Sequence, residues 1–220
     1  MSPAVDIKLP WVEAKAALVP ITTDVVVSLR EQMSERLRAF VTIAAGTGMR
    51  RGELLGLTID RVATDFGAIR VDRQLSRKST GKNPIFAPPK TTASVRTIPV
   101  AQVVLDTIEH HVGTYGVHRE TGLLFTTDIR TPLSTSTLQA AWSKAAKAAH
   151  TDATPHALRH YYASIQIYGG CSIKQLQANL GHKSARDVGH LRPPDGRRGR
   201  PLTGRDRGRP RRKDQKLCPQ

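Results

Sequence analysis

Two arginines stand where a glycine-flanked segment begins a predicted helix. Residues 47–57 read Thr-Gly-Met-Arg-Arg-Gly-Glu-Leu-Leu-Gly-Leu, which places Arg50 and Arg51 ahead of Glu53. Backbone N–H groups and the helix dipole favour an anion at such a helix start. The arginine pair therefore predicts a phosphate contact, and the alternative is that both are surface charges beside an ordinary first-turn acid.

A second group of basic residues follows more than a hundred positions later. His156 and Arg159 are three residues apart on a predicted helix, so they share one face of it. His182 comes directly after Gly181, where the next predicted helix ends. Lys90 lies between the two groups, at the predicted turn of a β-hairpin, where the alternative is a solvated surface lysine.

Four motifs in these segments resemble those of the tyrosine-type site-specific recombinases, or phage integrases. They are Thr-Gly-Met-Arg-x-Gly-Glu-Leu, Pro-Lys-Thr-x-x-Ser-x-Arg-Thr-Ile-Pro, His-x-Leu-Arg-His and Leu-Gly-His-Lys-Ser, in this order within residues 22–184. The resemblance implies a catalytic set of two phosphate-gripping arginines, one hairpin lysine and two histidines: Arg50, Arg159, Lys90, His156 and His182. It also implies that Glu53 supports the first arginine.

Phosphodiester chemistry explains why such residue types occur together. Attack on a phosphodiester builds negative charge on its non-bridging oxygens, and two guanidiniums can hold them by bidentate charged hydrogen bonds. Lys90 can protonate the departing 5′ oxygen, and a histidine with a pKa of about 6.5 can exchange a proton with the attacking hydroxyl. We expect no metal ion and no nucleotide or other small-molecule cofactor.

The family's nucleophilic tyrosine is missing from its expected position. That position, nine residues after His182, is Leu191, and none of the four tyrosines follows His182: Tyr115, Tyr161, Tyr162 and Tyr168. We interpret the Tyr161-Tyr162 pair as packing residues and Tyr115 as surface structure in a loop. The resemblance therefore implies a phage-type integrase domain for DNA integration and recombination that is truncated and cleavage-defective.

Periodicity predicts an α+β fold, mainly helical, with a small antiparallel β-sheet or hairpin. Apolar residues at helical spacing predict seven helices: one beginning at residues 22–24, then 37–45, 51–57, 101–113, 134–149, 155–168 and 172–181. A turn at 46–48 is expected to separate the second helix from the third. Short β-like runs are expected at 68–71, 84–87 and 95–99, with a further short run at 123–126.

Charge and composition favour a DNA partner. The chain has 34 Lys and Arg against 18 Asp and Glu, a net charge of +16, which predicts binding to a polyanion such as double-stranded DNA. Two cysteines are too few for a disulfide framework or a four-cysteine zinc site. The absence of a long apolar run and of a signal pattern predicts a cytoplasmic protein, associated with the nucleoid when bound to DNA.

The chain divides into three predicted regions. Residues 1–23 are expected to be a linker remnant of a missing N-terminal DNA-binding domain, residues 24–184 the integrase-like catalytic domain, and residues 185–220 a basic disordered tail. Residues 183–220 hold 13 Lys and Arg against 4 Asp. The tail is either a nonspecific phosphate-binding element or a frameshifted segment with accidental charge.

Three functions stay open from the sequence. The first is a DNA breaking-and-rejoining domain that lacks its nucleophile. The second is a non-catalytic DNA-binding module that occupies recombination sites or pairs with other, intact recombinase subunits. The third is a nonspecific nucleic-acid binder that depends on the arginine-rich tail. Removal of residues 186–220 would abolish its binding to nucleic acid.

Overall fold

A computed structural model describes residues 20–76, 79, 84–89 and 94–181 of the chain. Lys90 and His182 lie outside the described residues. The same holds for residues 1–19 of the expected linker and for the whole expected tail, 185–220. The domain boundaries at 23 and 184 therefore stay predictions.

Helices dominate the described part of the chain. The α-helices are α1 (Thr23–Gln32), α2 (Glu35–Thr47), α3 (Arg51–Leu55), α4 (Gln102–Tyr115), α5 (Thr135–Ala148), α6 (Ala157–Tyr168) and α7 (Ile173–Leu180). These correspond to the seven helices that apolar spacing predicts, so the mainly helical α+β fold is confirmed. No helix among the described residues is long and apolar enough to cross a membrane.

Hydroxyl side chains cap the starts of three helices, and at α5 the Ser134 side chain accepts a hydrogen bond from the Thr137 backbone N–H. Thr22 accepts a hydrogen bond from the Val25 backbone N–H at the start of α1, and Ser172 accepts one from the Gln175 N–H at the start of α7. Each bond satisfies a backbone donor that the first helical turn leaves without a partner. The helix starts expected at residues 22–24 and at Ser172 are confirmed.

The turn between α2 and α3 begins two residues later than expected. Gly46 and Thr47 belong to α2, and only Gly48 leaves the helix, with a left-handed φ of 62°. A Cβ atom at Gly46 would lie 2.5 Å from a methyl group of Val104, so this glycine lets α2 and α4 pack closely. The prediction of a break at Gly46 is wrong because the glycine serves helix packing there.

In the part of the chain that the structure describes, five short strands form two antiparallel sheets. The strands are β1 (Val62–Ala63), β2 (Ala68–Val71), β3 (Gln74–Leu75), β4 (Phe86–Ala87) and β5 (Arg96–Pro99). The first sheet has the order β1-β2-β5, and the second pairs β3 with β4. The run at 123–126 forms only isolated bridges, Thr58 with Leu123 and Thr126 with Pro132.

The hairpin predicted around Lys90 is not formed by the strands on either side of it. β4 pairs with β3, whereas β5 pairs with β2, where Ile98 lies opposite Ile69. Both isoleucines are fully buried, and side-chain burial of this kind sets strand register. The core therefore draws β5 to β2 and away from β4.

The hydrophobic core surrounds α2, which packs against α1, α4 and α6. Its inward side chains include Phe40, Val41 and Ile43, and the Phe40 ring meets the Phe125 ring edge-on at 5.5 Å. A smaller apolar cluster joins α6 to α7 through Tyr162, Ala163, Leu176 and Leu180. This cluster holds the C-terminal end of α7 beside the turn at Gly48.

Replacing Gly48 with alanine is expected to destabilise the domain, in contrast to the same replacement at Gly113. A Cβ atom there would lie 2.5 Å from the Tyr162 ring and 2.8 Å from Leu180, in addition to the left-handed φ. Gly48→Ala is therefore expected to lower the free energy of unfolding by at least about 2 kcal/mol.

Gly113→Ala is the matched control. Gly113 lies in α4 with nothing within 4 Å of the added Cβ atom, so alanine is expected to raise stability by about 0.5 kcal/mol. Urea unfolding of both variants measures the difference. Equal effects from the two substitutions would contradict the strained turn.

Candidate phosphate-binding site

Arg50 lies at the N-cap position of α3, just after the Gly48 turn. Its backbone N–H donates to Glu53 Oε2 at 2.8 Å, and its Nη1 donates to Glu53 Oε1 at 2.9 Å. The Arg50 side chain is 36% exposed, so solvent and ligands can reach it. Arg51 turns the other way and donates to Gln139 of α5 at 2.9 Å. The two adjacent arginines thus have different surroundings.

The Glu53 carboxylate is buried between two arginines. Its side chain is 2% exposed, and Arg96 of β5 donates to Oε1 at 3.1 Å and to Oε2 at 2.8 Å. Burial by itself raises the pKa of this carboxyl, but the hydrogen bonds and charges of Arg96 and Arg50 outweigh it and lower the pKa. Glu53 is therefore ionised at neutral pH.

Arg159 is the third arginine here, and it lies on α6 with only 4% of its surface exposed. Its Nη1 donates to the Gly48 carbonyl oxygen at 2.5 Å, and its Nη2 donates to the Leu180 carbonyl oxygen at 2.6 Å. Burial and the positive charge of Arg50 lower the pKa of Arg159 to about 9. Arg159 therefore keeps its positive charge at pH 7.

The three arginines meet at the C-terminal end of α7. Consecutive carbonyl oxygens accept from them: Asn179 from Arg96 Nε at 2.6 Å, Leu180 from Arg159 Nη2 at 2.6 Å, and Gly181 from Arg50 Nη2 at 3.4 Å. Cations are favoured at a helix C-terminus, where carbonyl groups have no partner within the helix. We call Arg50, Arg96 and Arg159 the arginine cluster.

The arginine cluster carries more positive charge than its carboxylate balances. Within the described ranges, Glu53 is the acid that forms ion pairs with the cluster, so three guanidiniums face one carboxylate. The excess charge lies beside the exposed edge of Arg50. Such an arrangement favours an anion with several oxygen acceptors, and a phosphodiester group has that chemistry.

Two histidines stand next to the cluster. His156 precedes the first residue of α6, and its ring meets the His160 ring edge-on at 4.8 Å. Partial loss of hydration lowers the pKa of exposed His156, and the charges of His160, Arg159 and Arg50 act in the same direction. Desolvation and Arg159 likewise lower the pKa of His160. Both rings are therefore neutral at pH 7 and can accept a proton.

The structure brings together the predicted site residues that it describes. Arg50, Glu53 and Arg159 belong to one hydrogen-bonded network. The charges of both arginines lower the pKa of His156. Lys90 and His182 lie outside the described residues. Among those residues, no group of three His, Cys, Asp or Glu side chains is placed to hold a metal ion.

Arg96 is the site residue whose role the sequence analysis missed. It is part of a quoted motif, but no role follows from its spacing. A signal was present in the strand pattern, because Arg96 and Ile98 alternate with exposed residues and both face inward. A charged residue at an inward strand position predicts a buried partner, which here is Glu53.

The hydroxyls of Tyr161 and Tyr162 form hydrogen bonds within the domain. Tyr162 is 2% exposed, and its hydroxyl accepts a hydrogen bond from Asn179 Nδ2 at 3.3 Å. Burial raises the pKa of Tyr162, which makes its hydroxyl a poorer nucleophile. The Tyr161 hydroxyl pairs with Thr23 Oγ1 at 3.1 Å.

Tyr115 ends α4 instead of lying in a loop, and its ring contacts the Arg36 guanidinium at 4.5 Å.

Comparison with known proteins identifies the family. The model of the phage integrase family matches residues 20–191, a span that includes the whole arginine cluster. The chain belongs to the phage integrase family. It is 29% identical over 168 residues to a protein of Caldanaerobacter subterraneus subsp. tengcongensis named tyrosine recombinase XerC-like, with 68% of this chain and 43% of that protein covered.

Two further comparisons give a second curated relative and a solved structure with the same fold. The phiRv2 prophage integrase of Mycobacterium tuberculosis (strain CDC 1551 / Oshkosh) is 31% identical over 169 residues, covering 76% of this chain and 44% of its own length. The solved structure of the Tn1549 transposon integrase with circular intermediate DNA has the same fold, with a TM-score of 0.69 at 23% identity. It covers 79% of this chain and 62% of that chain. This integrase-family chain thus spans less than half the length of the two curated relatives.

The Glu53 carboxylate is expected to be essential to the stability of this domain. Glu53→Gln leaves the buried guanidinium of Arg96 without an anion, and loss of one partner from a buried ion pair costs about 3–5 kcal/mol. Urea unfolding is expected to show a decrease in the free energy of unfolding of this size.

Asp128→Asn is the control for this substitution. Asp128 pairs with Arg36 at 3.0 Å, but its side chain is 96% exposed. Water and salt screen such a pair, so its loss is expected to leave the unfolding midpoint unchanged. A small effect of Glu53→Gln, equal to that of Asp128→Asn, would contradict the role given to the buried carboxylate.

Proposed function

We propose that this domain holds one phosphodiester group of double-stranded DNA at the arginine cluster, as the catalytic domain of a site-specific recombinase. The observation that carries the proposal is that, among the described residues, the three guanidiniums exceed the one Glu53 carboxylate by two positive charges, beside a solvent-accessible guanidinium. Membership of the phage integrase family supports DNA as the source of the phosphate.

The residues divide the work on the phosphate between them. Arg50 makes the direct contact, since it is the arginine of the cluster that reaches solvent most. Arg159 keeps N–H donors that its bonds to Gly48 and Leu180 do not use, and it adds charge behind the phosphate. His156 is neutral at pH 7 and can accept a proton from an attacking hydroxyl.

The remaining catalytic roles rest on the family resemblance. Lys90 would protonate the departing 5′ oxygen, and His182 would complete the set of site histidines. His182 follows Gly181, whose carbonyl oxygen accepts a hydrogen bond from Arg50. The backbone immediately before His182 is thus tied to the proposed phosphate contact.

We further propose that this chain binds DNA without cleaving it. No tyrosine occurs in the chain after Tyr168, so the position that the family resemblance gives to the nucleophile holds Leu191 instead. The hydroxyls of Tyr161 and Tyr162 are hydrogen-bonded to Thr23 and Asn179. A chain of this kind would occupy recombination sites or pair with other recombinase subunits at the nucleoid. Cleavage and rejoining would then depend on a tyrosine from another subunit.

The test uses a duplex enriched from a random pool by binding to the full chain. Each phosphate is replaced in turn by an uncharged methylphosphonate, and affinity is measured by fluorescence anisotropy. At one position, the replacement is expected to weaken binding about 10-fold or more, because a charged hydrogen bond contributes about 1.5–3 kcal/mol. Arg50→Met is expected to abolish this position-specific loss.

Arg51→Met is the matched control because it removes the same charge one residue away. It is expected to weaken binding equally at all positions and to leave the position-specific loss intact.

A denaturing gel of the wild-type complex with a nicked duplex is expected to show no covalent adduct. Loss of discrimination in Arg51→Met but not in Arg50→Met, or any covalent adduct of the wild-type chain, would contradict the proposal.

A further inference from the structure

Arg96 links two parts of the site without reaching its surface. Its side chain is only 5% exposed. Its Nη1 and Nη2 hold both oxygens of Glu53, Nη1 also donates to the Ser94 carbonyl oxygen at 2.9 Å, and Nε donates to the Asn179 carbonyl oxygen at 2.6 Å. A ligand at the exposed edge of Arg50 therefore does not touch Arg96.

The bidentate contact fixes the orientation of the Glu53 carboxylate. A carboxylate held at both oxygens cannot rotate freely, so Oε1 stays in place as the acceptor for Arg50 Nη1. Because the Arg50 guanidinium also reaches the Gly181 carbonyl oxygen, its two ends are both anchored. The plane of the Arg50 guanidinium thus depends on the position of Arg96.

The bond to Asn179 fixes the end of α7. Asn179 lies three residues before the position of His182, and the helix ends at Leu180. Arg96 comes from β5, which is anchored in the core by Ile98. A rigid strand therefore holds the point at which the chain leaves α7.

We propose that Arg96 is a positioning residue for the phosphate site. It acts through Glu53 and through the Asn179 carbonyl group, and it holds Arg50 and the end of α7 in the arrangement that binds the phosphodiester. This inference rests on the proposed function. Only a planar guanidinium presents enough donors at fixed angles for both contacts, so lysine cannot replace it.

The test compares Arg96→Lys and Arg96→Gln with the wild-type chain on the methylphosphonate-scanned duplex. Lysine keeps the buried positive charge but loses the two-pronged contact, and glutamine keeps a donor without the charge. Both variants are expected to lose the position-specific discrimination, so that phosphate and methylphosphonate duplexes bind within about 2-fold of each other. Circular dichroism establishes that the helices remain.

Arg70→Met is the matched control. Arg70 lies opposite Thr97 of β5, on the neighbouring strand β2, and its side chain is 64% exposed. This variant removes one positive charge from the same sheet at an exposed position. It is expected to keep the full discrimination of the wild-type chain.

The outcomes separate this inference from the proposed function. Retention of the wild-type discrimination by Arg96→Lys would overturn the positioning role, and so would complete unfolding of both Arg96 variants, which would assign Arg96 to the fold alone. Absence of any discriminating phosphate in the wild-type chain, or its persistence in Arg50→Met, would overturn the proposed function instead. Loss in both Arg96 variants, with retention in Arg70→Met, supports the inference.

Discussion

A buried carboxylate between two guanidiniums is the interaction on which the site depends. Removing Glu53 from water carries a large desolvation cost, and its pairing with Arg96 and Arg50 offsets that cost. The pairing in turn permits the two guanidiniums to approach each other and Arg159. Without the carboxylate, the three positive charges would repel one another in a region of low dielectric constant.

The C-terminal end of α7 is the second anchor of the arginine cluster. Three successive carbonyl groups accept from three arginines that come from α6, β5 and the start of α3. These contacts bring together segments that are up to 131 residues apart in the chain. The helix dipole supplies partial negative charge, but less than two full charges, so the cluster retains an excess that a phosphate can neutralise.

The elements of the fold follow closely from the sequence, because apolar spacing and capping residues act locally. Thr22 and Ser172 mark helix starts by their own side-chain bonds. The strand pairing was harder to predict, since the choice of β2 as the partner of β5 depends on core burial of Ile69 and Ile98, which are far apart in the chain. The helix break predicted at Gly46 is wrong for a similar reason, since the close approach of Gly46 to Val104 is a tertiary contact.

The site was predictable to the extent that motifs name residues. Arg50, Glu53 and Arg159 were expected to act together, and the described structure joins them in one network. Motif spacing cannot give the partners of a side chain, so neither the two-sided contact of Arg96 nor the carbonyl acceptors of Arg159 could be derived from it. Those contacts exist only once α6, α7 and β5 have packed together.

The central claim is that a DNA phosphate binds at the arginine cluster, and a crystal structure of this chain with a bound duplex tests it most directly. The account predicts one phosphate whose oxygens lie within hydrogen-bond distance of Arg50, with His156 beside it and Glu53 still bound to Arg96. DNA bound across another face, with the Arg50 guanidinium still facing solvent, would contradict the account.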